Sequence, residues 1–128
     1  MALRIVRLGE PREPGEGLRI GTVRRPPRGV PKSKHRSGNW YDLWLPELSP
    51  TAELVKQAMA AHTERDWAAF FRQYRREMAQ PEKAHLIDLL AALSHRTDFS
   101  VGCYCEDEAH CHRSALRQLF AKRGARFA

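Results

Sequence analysis

Asp98-Phe-Ser-Val-Gly-Cys-Tyr-Cys-Glu-Asp-Glu-Ala-His-Cys-His-Arg-Ser-Ala-Leu-Arg117 is the stretch that decides the fold class. Phe99 to Cys105 strings small, aromatic and branched residues together without helical spacing and reads as a short strand. Further on, His112, Leu116, Leu119 and Phe120 fall at i, i+4, i+7 and i+8, the stripe of a core-facing helix. A strand, an acidic loop (Glu106, Asp107, Glu108) and a helix start therefore meet here, together with all three cysteines and two of the six histidines. In open α/β sheets the carboxyl end of a strand is where ligands bind.

Upstream, Leu3 to Leu8 alternates as a strand, and Leu18 to Val23 forms a second one beyond the turn-rich Glu10 to Gly17. Four glycine or proline residues in Arg24-Arg-Pro-Pro-Arg-Gly-Val-Pro31 forbid regular structure, and residues 24–39 are expected to form a mobile basic loop. The patch Trp40, Tyr41, Leu43, Trp44 and Leu45 is expected to pack against the helices that follow. Three helices fill the middle. Ser49 as N-cap, with Pro50 at the first helical position, opens one with Leu54, Val55, Ala58 and Met59 inward. Thr63 and Asp66 have capping-box spacing ahead of Trp67, Phe70, Phe71, Tyr74 and Met78. Pro81 starts the third, with Leu86, Leu89, Leu90 and Leu93 towards the core. His62, His85 and His95 have no acidic or thiol company and read as surface or packing residues. The order predicts a single α/β domain over residues 1–128: a small, mostly parallel sheet flanked by helices in a three-layer, Rossmann-like arrangement.

A chain of 128 residues fits one modest core, and no run is long enough to cross a bilayer. Met1 to Arg7 is too short and charged for a signal peptide, and three cysteines within nine residues do not make a disulfide framework. Together these predict an intracellular, cytoplasmic protein with reduced thiols. The net charge of +7 lies wholly in residues 1–36, where ten Arg or Lys stand against Glu10, Glu13 and Glu16. That bias favours an anionic partner such as nucleic acid, a nucleotide or a phosphorylated metabolite; the plainer alternative is a solvated basic face.

Four readings compete for the cysteine stretch. In the first, Cys111 at the helix start is a reactive thiolate, His112 a base or donor, and Arg113 a phosphate or carboxylate clamp. In the second, Cys103, Cys105, Cys111 and His112 (or His110) hold tetrahedral zinc, although Cys-x-Cys is a less usual chelate than Cys-x-x-Cys. In the third, His110-Cys111 with Arg117 six residues on imitates a cysteine-phosphatase loop, but the intervening residues lack glycine and look helical, so the match is accidental. In the last, the cysteines are small hydrophobes and His112-Arg113 ties helix to loop.

At these residues the chain resembles the bacterial domain-of-unknown-function family 488, in its YeaO-like branch. The matching pieces are Cys103 with Cys111-His112-Arg113, the strand before them and the leucine-rich helix after; upstream, Pro27-Arg28-Gly29-Val30 and Trp44-Leu45-Pro46-Glu47-Leu48-Ser49-Pro50 also match. The resemblance covers roughly residues 18 to 121 and implies a compact α/β domain; it supplies no activity. Two departures matter. The branch's usual Leu-Trp-Pro-Arg-Gly is replaced by Arg25-Pro26-Pro27-Arg28-Gly29, which removes an aromatic and adds charge, and Cys105 stands where the wider family often has glutamate.

These readings converge on a ligand site where Cys105 to Arg113 approaches Arg24 to Arg28. The favoured expectation is a phosphate-bearing ligand, a nucleotide or nucleic acid, held by Arg24, Arg25, Arg28, Cys103, Cys105 and Glu106. Cys111, His112 and Arg113 would supply chemistry if the protein is an enzyme, a question the residues leave open.

Overall fold

A computed structural model describes all of residues 1–128. Four strands, β1 (Leu3–Arg7), β2 (Leu18–Gly21), β3 (Leu43–Trp44) and β4 (Phe99–Cys103), form one all-parallel sheet in the order β1-β4-β2-β3. Four helices accompany it: α1 (Ala52–Met59), α2 (Glu64–Met78), α3 (Pro81–Leu93) and α4 (His112–Lys122). Strand β4 lies between β1 and β2, with Val101 in register with both Ile5 and Ile20. All five of its residues are buried, which is why it is continuously small and apolar rather than alternating. The last pairing joins Cys103 to Arg7, so β4 ends there and Tyr104 and Cys105 leave the sheet; the expected strand was two residues too long.

The connection from β3 at one edge to β4 in the centre is the helical segment α1–α2–α3. One cluster gathers Leu54, Phe70, Tyr74, Ile87, Leu90, Leu116 and Phe120 from all four helices against Leu3, Ile20, Phe99 and Val101 of the sheet. The alternate strand residues, Arg19 and Ser100, face the other way and are covered by residues 8–17 and 39–42, so the third layer is loop rather than helix. Close approach on that side demands glycine. Gly17 has φ +77°, and a Cβ there would stand 2.0 Å from the Asp98 carbonyl oxygen. At Gly21 a Cβ would meet the Tyr41 ring at 2.4 Å. The patch divides: Leu45 packs against the helix–sheet core as expected, Tyr41 and Trp40 pack beneath the sheet end, and Leu43 and Trp44 are exposed on the edge strand.

The capping box of Thr63 and Asp66 forms, with both reciprocal hydrogen bonds. The entry to α1 differs from expectation. Ser49 closes a 3-10 turn over Pro46–Leu48, and Thr51 is the N-cap, accepting from the Leu54 N–H at 3.3 Å. Met59 is 80% exposed, because α1 ends at that residue with only Leu54 fully inside. In α3 the buried line is Ile87, Leu90 and Ala91, and Leu89 points outward. A helix wedged between α2 and α4 buries the face midway between its neighbours, which need not be its leucine stripe.

Candidate functional site

The carboxyl ends of β4 and β2 and the start of α4 meet at one spot. Cys103 is the last residue of β4, Cys111 is the N-cap of α4, and His112 is its first helical residue. The Cys111 and Cys103 sulfurs are 3.3 Å apart, and Cys105 Sγ lies 3.6 Å from Cys103 Sγ. Cys103 and Cys111 are buried and Cys105 is exposed. Leu8, Val23 and Tyr41 complete a small apolar cluster around the two inner thiols.

The orientation of His112 is fixed from behind. Its Nε2 is 2.8 Å from the Thr22 carbonyl oxygen and 3.2 Å from Thr22 Oγ1, whose own hydroxyl donates to the Gly102 carbonyl at 3.0 Å. A carbonyl only accepts, so Nε2 carries the hydrogen and Nδ1 presents its lone pair. Nδ1 lies 3.7 Å from Cys111 Sγ. The ring of Tyr74, held by its hydroxyl on the Leu48 carbonyl at 2.7 Å, stands 5.5 Å behind the imidazole. The result is a thiol, a base and a group that orients the base, in line.

The three thiols do not ionise alike. Hydrogen bonds to Cys105 and Cys111, reinforced by burial, push Cys103 up and keep it protonated. Cys105 is driven far below an ordinary thiol, first by its hydrogen bonds with Cys103 and Cys111 and then by the nearby Arg113 charge. Cys111 is lowered as well, chiefly by its hydrogen bond with Cys103. A thiolate at the outer end of the cluster, solvated by neighbouring S–H groups, is the physical content of these shifts.

The cluster forms the inner wall of a groove of about 800 Å3, within the size range of small-molecule sites. Val23 and Pro26, Pro50, Val55 and Met59 of α1, and Trp67 and Phe70 of α2 are among the other lining residues, which are largely apolar, and His110 borders the groove beside Trp67. Arg25, Arg28 and Lys56 supply cations along it.

Of the residues nominated from sequence, the structure brings Cys103, Cys105, Cys111, His112, Arg25 and Arg28 to this groove. Arg24 borders it but is engaged, with Nε donating to the Pro50 carbonyl at 2.9 Å and Nη2 to the carbonyls of Pro46 and Ser49. Its guanidinium closes the turn ahead of α1. Glu106 points away and lies 3.6 Å from Arg7. Arg113 is buried too, but the expected convergence with Arg28 does not occur: it lines a separate cleft of mixed charge along the β1 edge, with Arg7, Arg117, Glu106 and Glu108. One residue along a helix turns the side chain by about 100°, so His112 facing the thiols sends Arg113 elsewhere. His110 is likewise removed from the cluster, stacked on Trp67 at 4.7 Å. Arg117 is tied to Glu108 by two bonds of 2.8 and 3.0 Å, leaving nothing of a phosphatase loop.

Sequence reasoning missed Thr22, Lys56 and the part played by Trp67 and Phe70 as groove wall. The helical aromatics were visible as an apolar face; nothing marked Thr22, which acts through a main-chain carbonyl.

No helix is long and apolar enough to cross a membrane. Residues 3–124 match the family model described as the active DUF488-N3 subclade, and the chain belongs to the DUF488 family. No curated protein and no solved structure matches it.

Proposed function

We propose that this DUF488 protein is a thiol-dependent enzyme acting on a small ligand with an apolar body and an anionic, phosphate-like group. The observation that carries this reading is the alignment Cys111 Sγ, His112 Nδ1, Thr22 carbonyl, with spacings of 3.7 and 2.8 Å, at the wall of a groove large enough for such a ligand. The apolar lining suits a ring system, and Arg25, Arg28 and Lys56 suit the anion. The matched subclade is described as active, which is in keeping with an enzyme reading.

In the proposed step the Cys111 S–H proton passes to His112 Nδ1. The Sγ electron pair bonds to an electrophilic carbon of the ligand as the bond to the leaving group breaks. That group departs with its electron pair and takes the proton from the imidazolium. Water then cleaves the S–C bond, delivering its hydroxyl to carbon and its proton back to sulfur through His112. Throughout, Nε2–H stays on the Thr22 carbonyl, so the ring needs no reorientation between acting as base and as acid.

The test is a panel of nucleotides, acyl phosphates and sugar phosphates offered to reduced, metal-free protein, followed by intact mass and turnover. A ligand-derived adduct on Cys111 and turnover with at least one compound are expected. Cys111→Ser should reduce turnover by a factor on the order of 10^3 or more, and His112→Ala by roughly 10^2–10^4. Turnover unchanged in Cys111→Ser sinks the proposal. So does a panel in which no compound reacts and none protects the thiols from alkylation.

A further inference from the structure

The same thiols carry a second reading that stands on donor geometry and charge, independent of whether Cys111 reacts. We propose that Cys103, Cys105, Cys111 and His112 Nδ1 form a site for one zinc-class divalent ion, with Arg113 as its buried counter-charge.

A tetrahedral ion with metal–sulfur bonds near 2.3 Å holds its sulfurs roughly 3.8 Å apart, and a sulfur and an imidazole nitrogen roughly 3.5 Å apart. Here the separations are 3.6 Å for Cys103–Cys105, 3.3 Å for Cys103–Cys111 and 3.7 Å for Cys111–Nδ1. The donor atoms of Cys103, Cys111 and His112 all lie within 4.8 Å of one another. Cys103, Cys111 and His112 can close on an ion with small shifts, whereas the exposed Cys105, which lies outside that mutual 4.8 Å set, must swing inward to become the fourth donor. His112 also carries the support typical of a ligating histidine, because its far nitrogen donates to the Thr22 carbonyl and aims the near one at the sulfurs. Thiolate and imidazole donors select zinc-class ions over magnesium or calcium.

Charge supplies the independent observation. Three thiolates, one neutral imidazole and a divalent ion sum to one negative charge. Arg113 is 4% exposed, has no carboxylate partner, and makes a single hydrogen bond, Nη2 to the Cys105 carbonyl at 2.6 Å. Its Nε is buried without any partner. A buried guanidinium so poorly paired is costly unless negative charge stands nearby; Glu106 and Glu108 share its cleft without pairing to it, and the loaded cluster fixes a net negative charge on the residue that Arg113 holds. Loading would immobilise all three sulfurs. If Cys111 is the nucleophile proposed above, the ion is an off-switch for the enzyme.

The experiment uses reduced, chelator-stripped full-length protein titrated with Co2+ and then Zn2+. One ion per chain is expected, with an intense sulfur-to-cobalt charge-transfer band and tetrahedral visible absorption that Zn2+ abolishes. Cys105→Ser should keep a weaker site with a reduced band. Arg113→Met should keep the band and lose roughly 10- to 100-fold in affinity, as outer-shell changes do. Absence of a charge-transfer band in the folded wild-type protein overturns the site without reference to any variant. An undiminished band in Cys111→Ser overturns it as well. Metal binding in wild type, together with a panel in which no compound reacts or protects the thiols, upholds the metal site and defeats the thiol-enzyme reading; a Cys111 adduct with turnover but no metal binding does the reverse.

Discussion

Two arginines are buried in this molecule, and they are treated in opposite ways. Arg19, 1% exposed beneath the loop-covered face, is paired on every side. Its Nε and Nη2 donate to Glu16 at 2.7 and 3.0 Å, and Nη1 donates to the carbonyls of Glu10 and Asn39 at 2.8 Å. Glu16 in turn accepts from Ser100 Oγ at 2.7 Å and the Glu13 N–H at 3.1 Å. Arg113, at the thiol end, has one carbonyl and no carboxylate. The first pair staples the loop 8–17 to β2 and β4, and its charges are neutralised within the fold. The second cation is left available to whatever charge its neighbours carry. A satisfied buried charge is architecture; an under-satisfied one beside a thiolate points to function.

The comparison can be broken most sharply at Arg19. Arg19→Met strands the Glu16 carboxylate in the interior and should cost about 3–5 kcal/mol, read as a lower urea midpoint. A cost within experimental error would mean that the pair is not a staple.

Acid tests the same pair without mutation. Burial alone would raise the Glu16 pKa, but hydrogen bonds from Arg19, Ser100 and the Glu13 N–H outweigh it and hold the carboxyl at about 2 against an ordinary 4.5. A depressed carboxyl contributes stability that is complete above pH 4.5 and lost as pH falls towards 2. The loss should reach about 3 kcal/mol across that window. Denaturant titrations at stepped pH should show it, and Glu16→Gln should flatten the slope.

Smaller effects sharpen the contrast. Tyr74→Phe removes only the hydroxyl bond to the Leu48 carbonyl and should cost about 1 kcal/mol by thermal or urea unfolding, while leaving the imidazole its packing surface. Arg113→Met should be the mildest for stability. With no carboxylate to orphan, the metal-free protein should lose under about 1 kcal/mol or become more stable. Its effect should appear instead at Cys105, whose alkylation at neutral pH should slow as the supporting cation is lost. A large destabilisation by Arg113→Met would make both arginines structural and remove the distinction.

Much of the fold was legible in the sequence. The strand–loop–helix reading of 98–117, the capping box at Thr63 and Asp66 and the apolar face of α2 depend on residues a few positions apart, where periodicity and cap chemistry act. Errors fell where a choice among similar residues was left to packing: Leu89 exposed while Ile87 is buried, Thr51 in place of Ser49 as cap, Met59 outside. At the site, clustering of Cys103, Cys105, Cys111 and His112 followed from their proximity in sequence. The expected union of Arg113 with Arg24 and Arg28 failed because the turn of α4 separates Arg113 from its neighbour, and Arg24 is spent on main-chain carbonyls.

The sequence by itself determined the family, the α/β class, the order of elements and the thiol–imidazole stretch, since each is written in short-range patterns of side chains. Tertiary structure alone decided which loop covers the second face and that Thr22, 90 residues away, sets the tautomer of His112. It also decided that one buried arginine is paired and the other is not. Those outcomes depend on contacts between main-chain carbonyls and side chains distant along the chain, and a carbonyl is the same group in every residue, so no residue type announces it in advance.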